Sequence, residues 1–254
     1  MNVPRAGVDR EGGLPRPRIG LDWLSCHAEV VLRNSFGFIG CAVALGVFIA
    51  GAAPSRAALV YSYTIEHPTY GDIGTYTDTI AKSGDTLRID TRLRVAVKVL
   101  GIVLHREEAD RTELWKADRL VSFHSVTTTN GRPIEVRGEA GDNGFVITSP
   151  TGTVVAPANI YTSSPWSSRR PNAGLMMSTK TGRVETVQTL GGEQTVVPVL
   201  GSEVAARHYE FITDKRQDVW LDGSGIPVRF RTEVAGQPID FILTRGAVAA
   251  LGPQ

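Results

Sequence analysis

Cysteine is almost missing from this chain. There are two, Cys26 and Cys41. Nothing after Cys41 can build a disulfide or a thiolate metal site. No histidine pair has the i, i+4 spacing of a helical zinc site. His67, His105, His124 and His208 each sit in a strand-like run, where an exposed or hydrogen-bonded ring is expected. Phosphate cradles are missing too: no Lys-Ser or Lys-Thr follows Gly191-Gly192 or Gly223-Ser224-Gly225 at P-loop spacing. Gly223-Ser224-Gly225 is also too short for a nucleophile elbow. Asp214, Asp218 and Asp222 lack the glycine and acid spacing of a calcium loop. An excess of one charge is absent as well. From Ala58 onward 21 Lys and Arg face 22 Asp and Glu, so nucleic-acid binding has no electrostatic footprint. No cofactor and no metal follows from these residues, and the lack of catalytic motifs weighs against an enzyme.

What the chain does have is one apolar run, Phe36 to Ala53, with Arg33 before it and Pro54-Ser55-Arg56-Ala57 after it. A basic flank, a greasy core and small residues at Ser55 and Ala57 are the grammar of a secretory signal peptide. Cleavage is expected after Ala57, placing the remainder in the periplasm. Residues 1–35 read as a disordered leader or a mis-called gene start. Residues 36–57 are the signal core and cleavage region, 58–245 one domain, and 246–254 a flexible tail. Left uncleaved, the run is near the lower limit of a membrane span, and this leader would be the chain's only membrane contact.

From Leu59 the chain alternates. Leu87, Ile89, Thr91, Leu93, Val95, Val97 and Val99 share one parity, while Arg88, Asp90, Arg92, Arg94 and Lys98 share the other. That is a strand buried on one face, with the even positions in water. The parity switches at Leu100-Gly101, which predicts a bulge at Gly101. Turn signals recur at Lys116-Ala117-Asp118, Asn130-Gly131, Asp142-Asn143-Gly144, Pro150-Thr151-Gly152 and Gly223-Ser224-Gly225. The fold class is therefore all-β: a single strongly curved antiparallel sheet, half-barrel or open barrel, with one long loop.

That loop runs from Ala156 to Leu175 and is rich in Pro, Ser and Asn. One short helical turn is expected near Asn172 to Met176. Long loops inside compact domains are usually functional or wrap the sheet. Tyr161, Pro165 and Trp166 are the candidate lining of an apolar mouth, with Arg169 and Arg170 placed to meet an anionic head group. Trp115 and Trp220 lie in strand-like runs and are expected in the core, so Trp166 alone should be dispensable for stability. Glu107, Glu108, Asp110 and Glu113, interleaved with Arg106 and Arg111, read as a solvated ion-paired surface.

Several features line up in one order. They are Tyr61 and Tyr63, Gly71-Asp72-Ile73-Gly74, Glu113-Leu114-Trp115, Asn130-Gly131, Ser164-Pro165-Trp166, Val219-Trp220-Leu221-Asp222, Gly225-Ile226-Pro227-Val228, and Gly236 with Ile239 and Leu243. In these, Leu59 to Arg245 resembles an uncharacterised family of exported proteobacterial proteins, a domain of unknown function. More loosely it is similar to the antiparallel half-barrels of periplasmic lipoprotein carriers, which wrap a curved sheet around a hydrophobic hollow. The carrier likeness implies non-enzymatic binding or carriage of an apolar or lipid-like ligand. The alternative is a cell-envelope interaction module that holds another protein by its sheet edges or loop. A hydrolase with a cross-strand site is the weaker third reading. Sequencing the N-terminus of the protein recovered from the periplasm is expected to begin at Ala58; a start upstream of Phe36 would refute cleavage.

Overall fold

The computed structural model describes residues 58–166 and 174–246. The expected leader, Arg169, Arg170 and the tail beyond Gly246 lie outside the described residues. The first meander has eight strands. They are β1 (Leu59–His67), β2 (Gly71–Ser83), β3 (Thr86–Val99), β4 (Ile102–Lys116), β5 (Arg119–Thr129), β6 (Arg132–Gly141), β7 (Gly144–Ser149) and β8 (Gly152–Ala156). A connection follows with three short strands, β9 (Tyr161–Thr162), β10 (Leu175–Met177) and β11 (Val184–Thr186). The second meander is β12 (Gln188–Val199), β13 (Ser202–Ile212), β14 (Arg216–Leu221), β15 (Pro227–Val234) and β16 (Gln237–Arg245).

Thirteen of these strands make one antiparallel sheet in the order β12-β13-β14-β15-β16-β1-β2-β3-β4-β5-β6-β7-β8. The two meanders therefore join at a seam where β16 pairs with β1. The sheet is not closed, and β8 and β12 are its edges. β12 comes back against β15 and β16, so that end curls over itself. The connection makes its own small sheet, β11-β10-β9, in which β9 and β10 run parallel. No α-helix occurs among the described residues. Leu175 and Met176 belong to β10, so the expected helical turn is a strand where it is described. β10 gains its hydrogen bonds by pairing with β9 and β11.

Alternation sets the two faces. The inner face carries Tyr63, Ile65, Leu120, Phe123, Phe145 and Ile147, all fully buried. Each such side chain contributes about 1.5–3 kcal/mol by leaving water. Aromatic rings bolt the seam. Tyr63 lies 5.2 Å from Phe230, Tyr76 lies 5.7 Å from Phe241, and Phe230 stacks on Phe241 at 4.2 Å. The outer face carries cross-strand charge instead. Arg94 meets Asp110 at 2.8 Å, and Arg229 and Arg231 both meet Asp240, at 2.7 and 2.9 Å. The exposed Arg94–Asp110 pair contributes only about 0–1 kcal/mol, whereas Asp240 is part-buried between its two arginines.

The parity switch near residue 100 has a different cause from the expected bulge. Leu100 and Gly101 form a two-residue hairpin turn, with φ of 51° and 81°. The one-residue slip sits in β4 instead: Val97 pairs with His105 and Lys98 with Val103, leaving Leu104 as the extra residue. The same turn geometry recurs at Asn130-Gly131, Leu200-Gly201 and Ala235-Gly236. Positive φ at both turn positions matches the right-handed twist of the flanking strands.

Gly144 opens β7 at φ 145°, and a Cβ there would lie 2.2 Å from the backbone oxygen of Ala156. Backbone cannot swing aside as a side chain does. Gly144→Ala is expected to cost about 1–3 kcal/mol, the usual penalty for overpacking, by prising β8 from β7. Gly84 also has positive φ but has open space around its Cβ position, so Gly84→Asn is expected to change stability little. Urea midpoints of the two variants check the contrast; similar losses in both would show that φ, not the clash, governs.

Candidate functional site

The inner face is not uniformly apolar. Register lines up Tyr61, Asp78, Thr91, Arg111 and Ser125 across β1 to β5. The neighbouring row runs Tyr63, Tyr76, Leu93, Ala109 and Thr127. A third row places Glu113 between Ile89 and Phe123. Asp78, Thr91, Glu113, Ser125 and Thr127 are all buried. The sheet thus holds a polar belt inside an apolar wall.

The β8–β12 connection lies over this belt. Trp166 packs on Tyr61 with ring centroids 5.1 Å apart, and its Nε1–H donates to Asp78. Thr91 Oγ1 donates to the other oxygen of Asp78. Thr162 Oγ1 donates to Glu113 Oε1 at 3.1 Å, and Trp115 Nε1 donates to Glu113 Oε2 at 3.0 Å. Lys180 adds an ion pair with Glu107 at 2.6 Å. Both buried carboxyls therefore accept hydrogen bonds from the sheet and from the connection. A buried charge without such partners would be very costly.

Burial dominates the titration of these groups. It pushes Asp78 up to about 7, against the lowering effect of the hydrogen bonds from Thr91 and Trp166. It raises Glu113 above the ordinary glutamate value, opposed by Arg111 and the bonds from Trp115 and Thr162. The phenols of Tyr63 and Tyr76 are raised by the same burial.

Five buried polar atoms around the belt have no hydrogen-bond partner among the described residues: Tyr76 Oη, Arg111 Nε, Ser125 Oγ, Thr127 Oγ1 and Ser164 Oγ. Buried polar groups in folded proteins are normally satisfied, and a cluster of exceptions calls for water or a ligand. The belt presents one guanidinium, four hydroxyls and two carboxyls displaced toward their neutral forms. Chemically it suits a polar or anionic group flanked by apolar surface.

The sequence candidates fall differently. Tyr161 is half-buried and stacks on Trp115 at 6.1 Å. Pro165 and Trp166 are buried. Trp166, at 4 % exposure, is a core ring and does not stand at an open mouth, because its indole reaches down to Asp78. Trp220 is the displaced one: it lies half-buried on the outer face, stacked on His208 at 4.6 Å with Arg229 over it at 5.1 Å. Glu113 is likewise no surface residue, at 0 % exposure. Arg111, read from the sequence as part of a solvated ion-paired surface, stands in the inner row. Asp78, Ser125 and Thr127 escaped notice in the sequence, although each of the four stands on the apolar parity of its strand. A polar residue on that parity is the available signal.

A second cluster lies on the outer face. His208, Glu210 and Asp218 bring their ligand atoms within 4.8 Å of one another. Arg216 already fills the cation's role there, 3.0 Å from Glu210 and 2.9 Å from Asp218. Burial would raise Asp218, but the hydrogen bonds from Arg216 and His208 outweigh it and hold the carboxyl below its ordinary value. This is a charge-paired surface.

The architecture defines an open antiparallel barrel-like sheet whose inner face is covered by its own connection. The chain belongs to the DUF6134 family, a domain of unknown function, matched over residues 70–244. It is similar to the crystal structure of a β-barrel-like protein of domain of unknown function DUF1849 from Brucella abortus. That match has 12 % identity and a TM-score of 0.57, covering 78 % of this chain and 100 % of that one. Such a likeness shows shared fold alone. No curated protein matches the sequence.

Two measurements follow. Trp166→Ala and Trp115→Ala are each expected to cost about 3–5 kcal/mol, as for other buried aromatics, and Trp220→Ala roughly 1 kcal/mol. Urea unfolding ranks the three; a nearly neutral Trp166→Ala would remove the indole from the core. Asp78 provides a pH signature. Its carboxyl moves from an ordinary 3.8 to about 7 in the fold. The folded state holds the extra proton between those values, so stability falls as pH rises through that window. Asp78→Asn abolishes this slope, so its stability relative to the unsubstituted protein should improve from pH 4.5 to pH 7.5. A difference that is identical at both pH values would contradict the raised pKa.

Proposed function

We propose that this protein is an exported, non-enzymatic binding protein for an amphiphilic, lipid-like ligand. The ligand's head would lie in the polar belt and its apolar part along the inner rows beside it. The observation that carries this reading is a gathering of buried polar atoms without a hydrogen-bond partner among the described residues: Tyr76 Oη, Arg111 Nε, Ser125 Oγ and Thr127 Oγ1 on adjacent rungs of the sheet, and Ser164 Oγ in the connection. Arg111 supplies the belt's positive charge while Asp78 and Glu113 lean toward neutrality, which favours an anionic head. Tyr76, Ser125, Thr127 and Ser164 supply hydroxyls for its remaining oxygens. Leu93, Val95, Ile134 and Val136 flank the belt with apolar surface. Export rests on the apolar run and the small residues before Ala58. A purely structural belt, satisfied by water alone, is the outcome that competes with this reading.

A second reading has its own observation. The unclosed sheet leaves β8 and β12 as edges, with Val154, Val155 and Val196 exposed there. Such edges accept an added strand from another protein, which suits an envelope interaction module.

Native mass spectrometry of protein purified without detergent distinguishes them. The expectation is a co-purifying adduct of lipid-like mass that Arg111→Met with Thr127→Val reduces about tenfold or more, the scale of losing one charged hydrogen bond. The variant's thermal unfolding reports separately on the fold. Repeated absence of an adduct, together with no binding of a dansyl-labelled fatty acid, would leave the belt structural and favour the edge reading.

A further inference from the structure

The β3–β4 hairpin outruns both of its neighbours. β2 pairs with β3 only as far as Val95, opposite Gly74. β5 pairs with β4 only from Glu107, opposite Thr129. Ala96–Val99 and Ile102–Arg106 are therefore paired in the sheet only with each other. Four rungs stand free, roughly 13 Å at the usual rise. Val95 and Val97 still lean on the core. Beyond them Leu100 is 97 % exposed, Ile102 66 %, Leu104 58 %, Val103 44 % and Val99 37 %. A two-stranded ribbon is marginal in water, and turning its apolar residues to solvent makes it worse. Contiguous apolar exposure of this kind marks an interaction surface.

Charge identifies the partner. No acidic residue occurs from Ala96 to Arg106, whereas Lys98, His105 and Arg106 do. Arg132 joins them, because the β5–β6 turn is tied to this ribbon. The Arg106 backbone N–H donates to Asn130 Oδ1 at 2.8 Å, and the Asn130 N–H donates to the Arg106 carbonyl at 2.9 Å. Lys98 and Arg132 are exposed and make no ion pair among the described residues, whereas Arg106 lies 3.8 Å from Glu108 and His105 3.9 Å from Glu107, so the free positive charge of the collar comes from Lys98 and Arg132. The arrangement is an apolar tip below a basic collar. It matches a bilayer whose acyl boundary takes the tip and whose anionic phosphates take the collar. Depth is limited by the backbone: the ribbon's outer N–H and C=O groups would go unsatisfied in hydrocarbon. The tip therefore rests at the headgroup boundary and does not span.

We propose that the β3–β4 tip docks this protein on an anionic lipid surface. This goes beyond the ligand-binding reading and does not depend on it. The apolar run Phe36–Ala53 would itself bind vesicles if retained, so the readout must be local. The test uses the full chain with Cys26 and Cys41 replaced by Ser. One cysteine is introduced as Leu100→Cys or, at the end of β2 beside the opposite end of β3, as Ser83→Cys, and labelled with an environment-sensitive dye. With phosphatidylglycerol vesicles, the dye at position 100 is expected to brighten about threefold and shift to the blue as it meets the acyl boundary. The dye at position 83 should not respond, and phosphatidylcholine vesicles should give a much weaker signal. Adding Lys98→Glu and Arg106→Glu should abolish the lipid preference while thermal unfolding stays unchanged. No response at position 100, or equal responses at both positions, overturns the docking tip. Equal responses to both lipids overturn the anionic surface. Self-association in sedimentation that Leu100→Ser abolishes, with no vesicle response, would assign the tip to a second copy and overturn the proposal.

Discussion

Covering the inner face of an unclosed sheet is the constraint on which this structure depends. Thirteen strands present one long, largely apolar wall, and leaving such a wall uncovered would expose far more contiguous apolar surface than a folded chain ordinarily shows. The β8–β12 connection solves the problem within the chain. It is fastened where its polar groups find buried acceptors, Trp166 on Asp78 and Thr162 on Glu113. Each fastening joins residues far apart in sequence, and each places a carboxyl where water cannot reach it. The raised pKa values of both acids are the electrostatic trace of that burial.

The same arrangement separates two kinds of polarity. On the outer face carboxyl groups are paired with arginines across strands, as Asp110 is with Arg94 and Asp240 is with Arg229 and Arg231. The Arg94–Asp110 pair is solvated and weak, and Asp240 is part-buried between its two arginines. On the inner face the carboxyls are few and bound by neutral donors, and the hydroxyls of Tyr76, Ser125 and Thr127 accompany them without partners among the described residues. A fold that only needed a core would place leucine or valine at those rungs. Retaining Asp78, Arg111, Ser125 and Thr127 costs desolvation, and the binding reading gives that cost a purpose. The exposed β3–β4 tip is a similar departure on the other scale: apolar side chains left outside where charged ones would be easier to keep.

Much of the fold was legible in the residues. Alternation from Leu87 to Val99 marked a half-buried strand, and Asn130-Gly131 marked a hairpin. The Leu100-Gly101 turn was harder to see, because a bulky residue at positive φ is unfavourable and Val-Leu-Gly-Ile reads as continuing strand. Trp166 and Trp220 exchanged expected roles for a related reason. Proline and serine around Trp166 argued for an exposed loop, but a loop that covers a core carries core residues. The regular run around Trp220 argued for burial, although its parity places it outside with His208 and Arg229.

By itself the sequence determined what depends on near neighbours: strand period, most turns, the balance of charge and the all-β class. Tertiary structure decided what depends on register. Asp78, Thr91, Arg111 and Ser125 are 13 to 20 residues apart along the chain, and nothing local marks them as a set. They become one row because strand lengths and turn positions align them, and a single-residue slip in any strand would turn its member out to solvent. The covering role of the connection was equally invisible, since burial is a property of what packs above a residue and not of the residue itself.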